Sequence, residues 1–214
     1  MVKIKICEYD VKDIEKKYKV PEGTFQNDFV IIDNETQNNI APDWDYTKAK
    51  ISIVGLLYKN KVKIFIAEKE NDKEFKTSIK KELNKLKKQS NIYAFNNNME
   101  LGNFKGDFED YEIIIHEIKP FNGRGWNKDK FYYTLRLAQE IPDVIINDPF
   151  KGDGGKCIDS WVKFQETKDI KYMKEAIIHN LNCLLKESII LKHNLFFKKN
   201  WLIDEKNFFI KQIK

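Results

Sequence analysis

Asp33 and Glu35, in Phe29-Val-Ile-Ile-Asp-Asn-Glu-Thr36, stand at the end of an apolar, β-branched run and just before a polar loop. In an extended strand, residues two apart share a face, so both carboxylates point to one side of a segment that otherwise reads as buried. Two like charges held that close repel, and burying them is costly unless a cation compensates. Hard Mg2+ or Mn2+ takes carboxylate oxygens, and pairs of such ions drive phosphodiester hydrolysis. Without an ion, the same Asp-x-Glu step is a strand running out into a solvated acidic turn. A third carboxylate, Glu100, lies in Asn91-Ile-Tyr-Ala-Phe-Asn-Asn-Asn-Met-Glu-Leu101. There a strand ends at Phe95, the asparagines supply turn and capping chemistry, and Glu100 falls in the first turn of a helix. A strand pairing beside the first would bring Glu100 near Asp33 and Glu35; otherwise a first-turn acid simply complements the helix dipole.

The elements that must position these groups follow from hydrophobic period. Residues 29 to 33 read as a buried strand, and 51 to 58 with 62 to 67 as a hairpin turning at Lys59-Asn60-Lys61. Phe75, Ile79, Leu83 and Leu86 recur at helical spacing, followed by short strands at 91 to 95 and 112 to 118. After Phe121-Asn-Gly-Arg-Gly-Trp126 the chain turns helical, near 129 to 141, 154 to 166 and 169 to 192. Strands followed by alternating helices and strands, then helices, predict an α/β mixed sheet covered on both faces. Residues 1 to 28 read as a strand and short helix added to that core. The aromatic tail beyond Phe197 (Trp201, Phe208, Phe209) reads as packed, with a disordered basic tail as the alternative.

At 214 residues the chain is long enough for one substantial domain. Met1-Val-Lys-Ile-Lys5 never builds the apolar core of a signal peptide and no stretch reaches membrane-spanning length, so a soluble cytoplasmic protein that does not enter a membrane is expected. Cys7, Cys157 and Cys183 lack any paired spacing, which argues against a disulfide framework or a zinc knuckle. The net charge of +5 favours a polyanion partner weakly, since the basic residues are almost all lysine, Arg124 and Arg136 excepted.

The order Ile-Ile-Asp-Asn-Glu-Thr, Ala-Phe-Asn-Asn-Asn-Met-Glu, then Gly152-Asp-Gly-Gly-Lys156 leading through Trp161 to Ile178-His-Asn-Leu-Asn-Cys-Leu184, resembles bacterial ribonuclease H-like predicted 3'-5' exonucleases of the YprB type. These are relatives of the proofreading domain of family B DNA polymerases, and the resemblance covers about residues 29 to 192. It implies a ribonuclease H-like mixed sheet flanked by helices on both faces, with residues 1 to 28 and 193 to 214 as extensions, the latter packed on the domain. It also implies a metal-dependent 3'-5' exonuclease acting on single-stranded or 3'-end DNA or RNA. Asp33, Glu35 and Glu100 would be three of four carboxylates binding two Mg2+ or Mn2+ ions, with Glu35 also able to contact the terminal hydroxyl.

The third motif departs from the family pattern of Tyr-Asn-x-x-Asp. Aligning Asn180 with the family Asn puts His179 at the Tyr position and Cys183 at the Asp position. An imidazole can orient or deprotonate water, whereas a soft thiol is a poor Mg2+ ligand. Glu187, one helical turn beyond Cys183, has the reach to replace the missing carboxylate. The site could instead hold one metal firmly or prefer Mn2+. The remaining alternative is a catalytically impaired nuclease fold that serves as a nucleic-acid-binding or protein-interaction module.

Other residues carry weaker expectations. The lysines of 73 to 88 and Arg124 are candidates for backbone contacts, and Trp126, Tyr132 or Tyr133 for base stacking; a solvated helix face and core packing are the plainer roles. His116 reads as a satisfied sheet histidine, His193 as a helix C-terminal partner, Cys157 as core, and Asp153 as the cap of the helix that follows it.

Overall fold

The computed structural model describes residues 5–39, 45–95, 97–108, 111–118, 128–142, 144 and 146–212, with side chains from 6 through 194. β-branched runs that alternate or bury completely give the strands β1 (Lys5–Asp10), β2 (Asn27–Thr36), β3 (Ile51–Lys59) and β4 (Lys61–Ile66), with the shorter β5 (Ile92–Ala94) and β6 (Ile115–Glu117). They form one six-stranded sheet in the order β1-β4-β3-β2-β5-β6. β1, β4, β3 and β2 pair antiparallel in succession, whereas β2 to β5 and β5 to β6 pair parallel. This mixed α/β architecture is consistent with a ribonuclease H-like fold.

Among the described residues six α-helices complete it: α1 (Val11–Tyr18), α2 (Lys73–Leu86), α3 (Asn97–Asp107), α4 (Lys128–Leu137), α5 (Gly155–Thr167) and α6 (Lys171–Gln212). Strand alternation separates the two faces. Asp33 and its cross-strand partner Gly55 face α6, where Asn180 Nδ2 reaches the Asp33 carboxylate at 2.7 Å. The neighbouring residues face the other way: Asn34 accepts from Asn103 of α3 at 2.8 Å, and Lys63 donates to Glu82 of α2 at 3.2 Å. Helices therefore cover both faces, and the core lies on either side of β2 and β3, whose Ile31, Ile32, Ile53 and Val54 are wholly buried.

Several boundaries differ from the sequence reading. The N-terminal segment does form the expected strand and short helix: β1 lies along β4, and Val11 and Ile14 of α1 enter the core. β6 is confined to three residues because its parallel partner β5 offers only Ile92, Tyr93 and Ala94 for pairing. α4 stops at Leu137, where Gln139 turns left-handed (φ 58°) and Glu140 N–H closes back on the Leu135 carbonyl. α6 does not end near residue 192 but runs on through the tail to Gln212, so His193 is no helix terminus. It contacts Glu140 at 2.8 Å instead. His116 is exposed on edge strand β6, with its ring 5.2 Å from Tyr93. The side chains of Trp201, Phe208 and Phe209, and all of Arg124 and Trp126, lie outside the described residues. Among the described residues no helix is long and apolar enough to cross a membrane.

Candidate metal centre

The carboxylates gather where the parallel strands end. β2 runs out through Asp33 and Glu35, and β5 beside it leads within a few residues into α3, whose first turn carries Glu100. From the opposite side comes α6, nearly buried on every face between His179 and Leu191. It contributes His179, Cys183 and Glu187, spaced four apart and so aligned along one stripe. All six side chains line one cleft of about 220 Å³. The expected set is thus brought together, including Glu187, and each member is more than nine-tenths buried.

α6 is seated by one close approach. A Cβ on Gly55 would fall 2.0 Å from Asn180 Oδ1 and 2.7 Å from Leu184 Cδ1, so only glycine admits the helix here. Asn180 Nδ2 then donates to both the Asp33 carboxylate (2.7 Å) and the Asp33 carbonyl (3.1 Å). The other Asp33 oxygen accepts from Lys128 Nζ at 3.0 Å, and the same ammonium donates to Glu187 Oε1 at 2.7 Å. Lys128 opens α4 and is the lysine that bridges the two carboxylates within the cleft.

His179 is fixed from behind. Its Nδ1 donates to Asp148 Oδ1 at 2.8 Å, while Asp148 also accepts from the N–H groups of Phe150 (2.9 Å) and Gly152 (3.0 Å) and from Lys186 (3.4 Å). Lys186 in turn pairs with Asp129. Nε2 is left facing the cleft, 3.7 Å from Cys183 Sγ and 3.9 Å from Glu35 Oε1.

The ionisation states follow from burial and from this excess of acids. Burial, then the Asp33 charge, pushes Glu35 up to about 7. Burial also raises Glu187, and although Lys128 pulls it down it remains at about 8. Glu100 is held well above the usual carboxyl range by burial and by the charges of Asp33 and Glu187. For His179 burial works downward, but the bond to Asp148 and the nearby Cys183 and Glu35 outweigh it and carry the imidazole to about 11. Asp148 is the converse: burial would raise it, and its hydrogen bond and charge interaction with His179 hold it below the usual range. Burial pushes the Cys183 thiol up.

The donor set fits a divalent cation. Among the described residues, Oε2 of Glu100 and Oε2 of Glu187 are buried with no hydrogen-bond partner, and buried carboxylate oxygens without donors are open to a cation. Lys128 and the charged His179 supply two positive charges where four acids converge.

The structure moves other candidates away from this site. Tyr132 is core, its hydroxyl donating to the Val144 carbonyl at 2.9 Å, so it cannot stack on bases. Tyr133 is 47 % exposed and has Arg136 over its ring. None of the α2 lysines lines the cleft. Asp153 accepts from Gly155 N–H at 3.1 Å and so serves the entry to α5, although the residue at the cap position is Gly154. Cys157 is buried as expected, and its thiol is pushed up by burial first and then by the neighbouring Glu35 charge. Sequence reasoning missed Lys128 and Asp148. One is a lysine in a lysine-rich chain, and the other sits in Ile146-Asn-Asp-Pro-Phe150, where no periodicity marks a function. No family model, no curated protein and no solved structure matches this chain.

Proposed function

We propose that the protein is a metal-dependent nuclease that shortens DNA or RNA from the 3' end by phosphodiester hydrolysis. The observation that carries this reading is the convergence of Asp33, Glu35, Glu100 and Glu187 on one cleft, with two of their oxygens buried and unpartnered among the described residues. These four residues would hold Mg2+ or Mn2+, which would supply a lowered pKa for a water nucleophile and charge stabilisation for the leaving oxygen. The chain supplies the rest of the chemistry. Asn180 fixes the Asp33 carboxylate, so its free directions are set in advance. Lys128, its side chain 16 % exposed, is a fixed cation that a phosphate oxygen can meet. His179, charged near neutrality, donates and so orients the incoming water or a phosphate oxygen; it is not a general base in that state.

The test is digestion of 5'-labelled single-stranded DNA and RNA with Mg2+ or Mn2+. The expected result is a metal-dependent ladder that Asp33→Asn suppresses by about 100-fold or more, beyond the ~10–100-fold loss typical of groups that only support a ligand. A ladder of equal strength from Asp33→Asn would overturn the assignment of the site. A second reading has one observation in its favour: Lys128 already neutralises part of the charge on Asp33 and Glu187. On that reading the fold binds nucleic acid or a protein without cutting. Binding that persists while neither wild type nor Cys183→Asp cleaves selects it.

A further inference from the structure

The cleft contains two kinds of ligand chemistry, and only one of them suits Mg2+. Glu100, Glu187 and Asp33 offer hard oxygens. Next to them, Glu35, His179 and Cys183 place a carboxylate oxygen, an imidazole nitrogen and a sulfur within 4.8 Å of one another, all three buried. We propose that these three residues form a site for a borderline-soft divalent cation of the Zn2+ class, distinct in preference from the hard-oxygen set beside it.

Three observations converge on this. First, the two separations measured from Nε2 are close to those a tetrahedral ion requires, and the third, from Glu35 to Cys183, is within 4.8 Å. Bonds of about 2.0 Å to nitrogen and 2.3 Å to sulfur separate the two ligand atoms by roughly 3.6 Å, and Nε2 lies 3.7 Å from Cys183 Sγ. Glu35 Oε1, 3.9 Å from Nε2, needs to close by only about 0.5 Å. Second, His179 carries the outer support of a metal-bound histidine. Asp148 holds Nδ1 and is itself pinned by two backbone N–H groups and Lys186, so Nε2 is the nitrogen presented to the cleft. A histidine that merely packs needs no such threefold anchorage of its partner. Third, Cys183 faces carboxylates on a fully buried stretch of helix, where a thiol adds nothing to a Mg2+ site and a thiolate adds much to a Zn2+ site. On coordination the thiol proton and the Nε2 proton leave to solvent. His179 would then act as a ligand and no longer as a donor to water.

This inference concerns the metal and stands apart from nuclease activity, so the two fail separately. The probe is Co2+ added to the chelator-treated full chain, followed by absorption spectroscopy. The expected result is one Co2+ per chain, with a sulfur-to-metal charge-transfer band and the visible bands of a tetrahedral ion, all displaced by Zn2+ and untouched by a large excess of Mg2+. Cys183→Ser removes the charge-transfer band, Cys7→Ser leaves it, and Asp148→Asn weakens Co2+ binding by ~10–100-fold through His179 alone. Cys183→Asp keeps a ligand of similar reach, guards against a variant that fails for want of folding, and should exchange the sulfur-to-Co2+ band for a larger thermal response to Mg2+ than wild type gives. Absence of the band in wild type, or its persistence in Cys183→Ser, overturns the proposal, whatever the outcome of the digestion assay.

Discussion

At the residue scale the most consequential side chain is one that no motif marks. Lys128 joins Asp33 and Glu187 through a single ammonium, at 3.0 and 2.7 Å. Burial works against that charge, yet Asp33, Cys183 and Glu187 raise its pKa well above the usual lysine value, so it stays protonated. Removing one member of a buried ion pair leaves the others uncompensated, at about 3–5 kcal/mol. Lys128→Met is therefore expected to lower the stability of the chelated protein by about 3 kcal/mol in denaturant titrations. It should also enlarge the rise in Tm produced by Mn2+, because a divalent ion no longer competes with the ammonium. An Mn2+ response no larger than that of wild type would show that Lys128 does not compete with the ion. Asp33, Glu35 and Glu100 were legible in the sequence because each sits at a strand end or helix start that local pattern defines. Lys128 was not, being one of 38 basic residues with nothing local to distinguish it.

At the element scale, β2, β3 and β4 were legible because their runs of Ile, Val and Leu bury almost completely and admit only a strand of that length. α3 was reached only through Phe95 and the asparagines. Its inward stripe is Glu100, Asn103, Phe104 and Asp107, a helical period written mostly in polar residues that an apolar pattern cannot reveal. Tertiary partners justify that stripe: Asn103 meets Asn34, and Asp107 accepts from Ile51 N–H at 2.9 Å and Lys76 at 2.7 Å. Continuation of α6 past residue 192 was hidden for a different reason, since a lysine- and aromatic-rich tail reads equally as helix or as unstructured chain. The contact that ties these elements to the site is Gly55 against α6. Gly55→Ala drives a methyl into Asn180 and Leu184, so the helix must withdraw or the strand must bend, at about 1–3 kcal/mol. Because Asn180 also holds Asp33, the variant should lose metal-dependent thermal stabilisation as well as Tm, although Gly55 supplies no ligand. A variant with lowered Tm and an undiminished metal response would mean that the site tolerates movement of α6.

For the whole molecule, the charge balance of this one cleft should govern how stability depends on pH. Glu35 at about 7 and Glu187 at about 8 keep protons in the folded chain that the unfolded chain has already released above its ordinary carboxyl value of 4.5. Where the folded state binds more protons, stability falls as pH rises, so both glutamates weaken the fold from about pH 4.5 up through 7 and 8. His179 has the same sign: its contribution is complete below the ordinary value of 6.5 and fades as pH climbs toward about 11. Asp148 opposes them only in acid, where its pairing with His179 is lost as pH falls through and below its ordinary value of 3.8. At ~1.4 kcal/mol for each pH unit by which a carboxyl is displaced, the chelated protein should lose on the order of 3 kcal/mol or more between about pH 5 and pH 8. A bound divalent cation reverses the sign, because it takes the ionised carboxylates and its affinity grows as they deprotonate. Thermal melts at those two pH values, with chelator and with Mn2+, give four numbers. Chelated protein should melt higher at the acid pH, and the Mn2+ increment should be larger at the alkaline one. If chelated protein were instead more stable at about pH 8, Lys128 and His179 would already suffice for the carboxylates, and the cleft would have no charge left for a metal ion to neutralise.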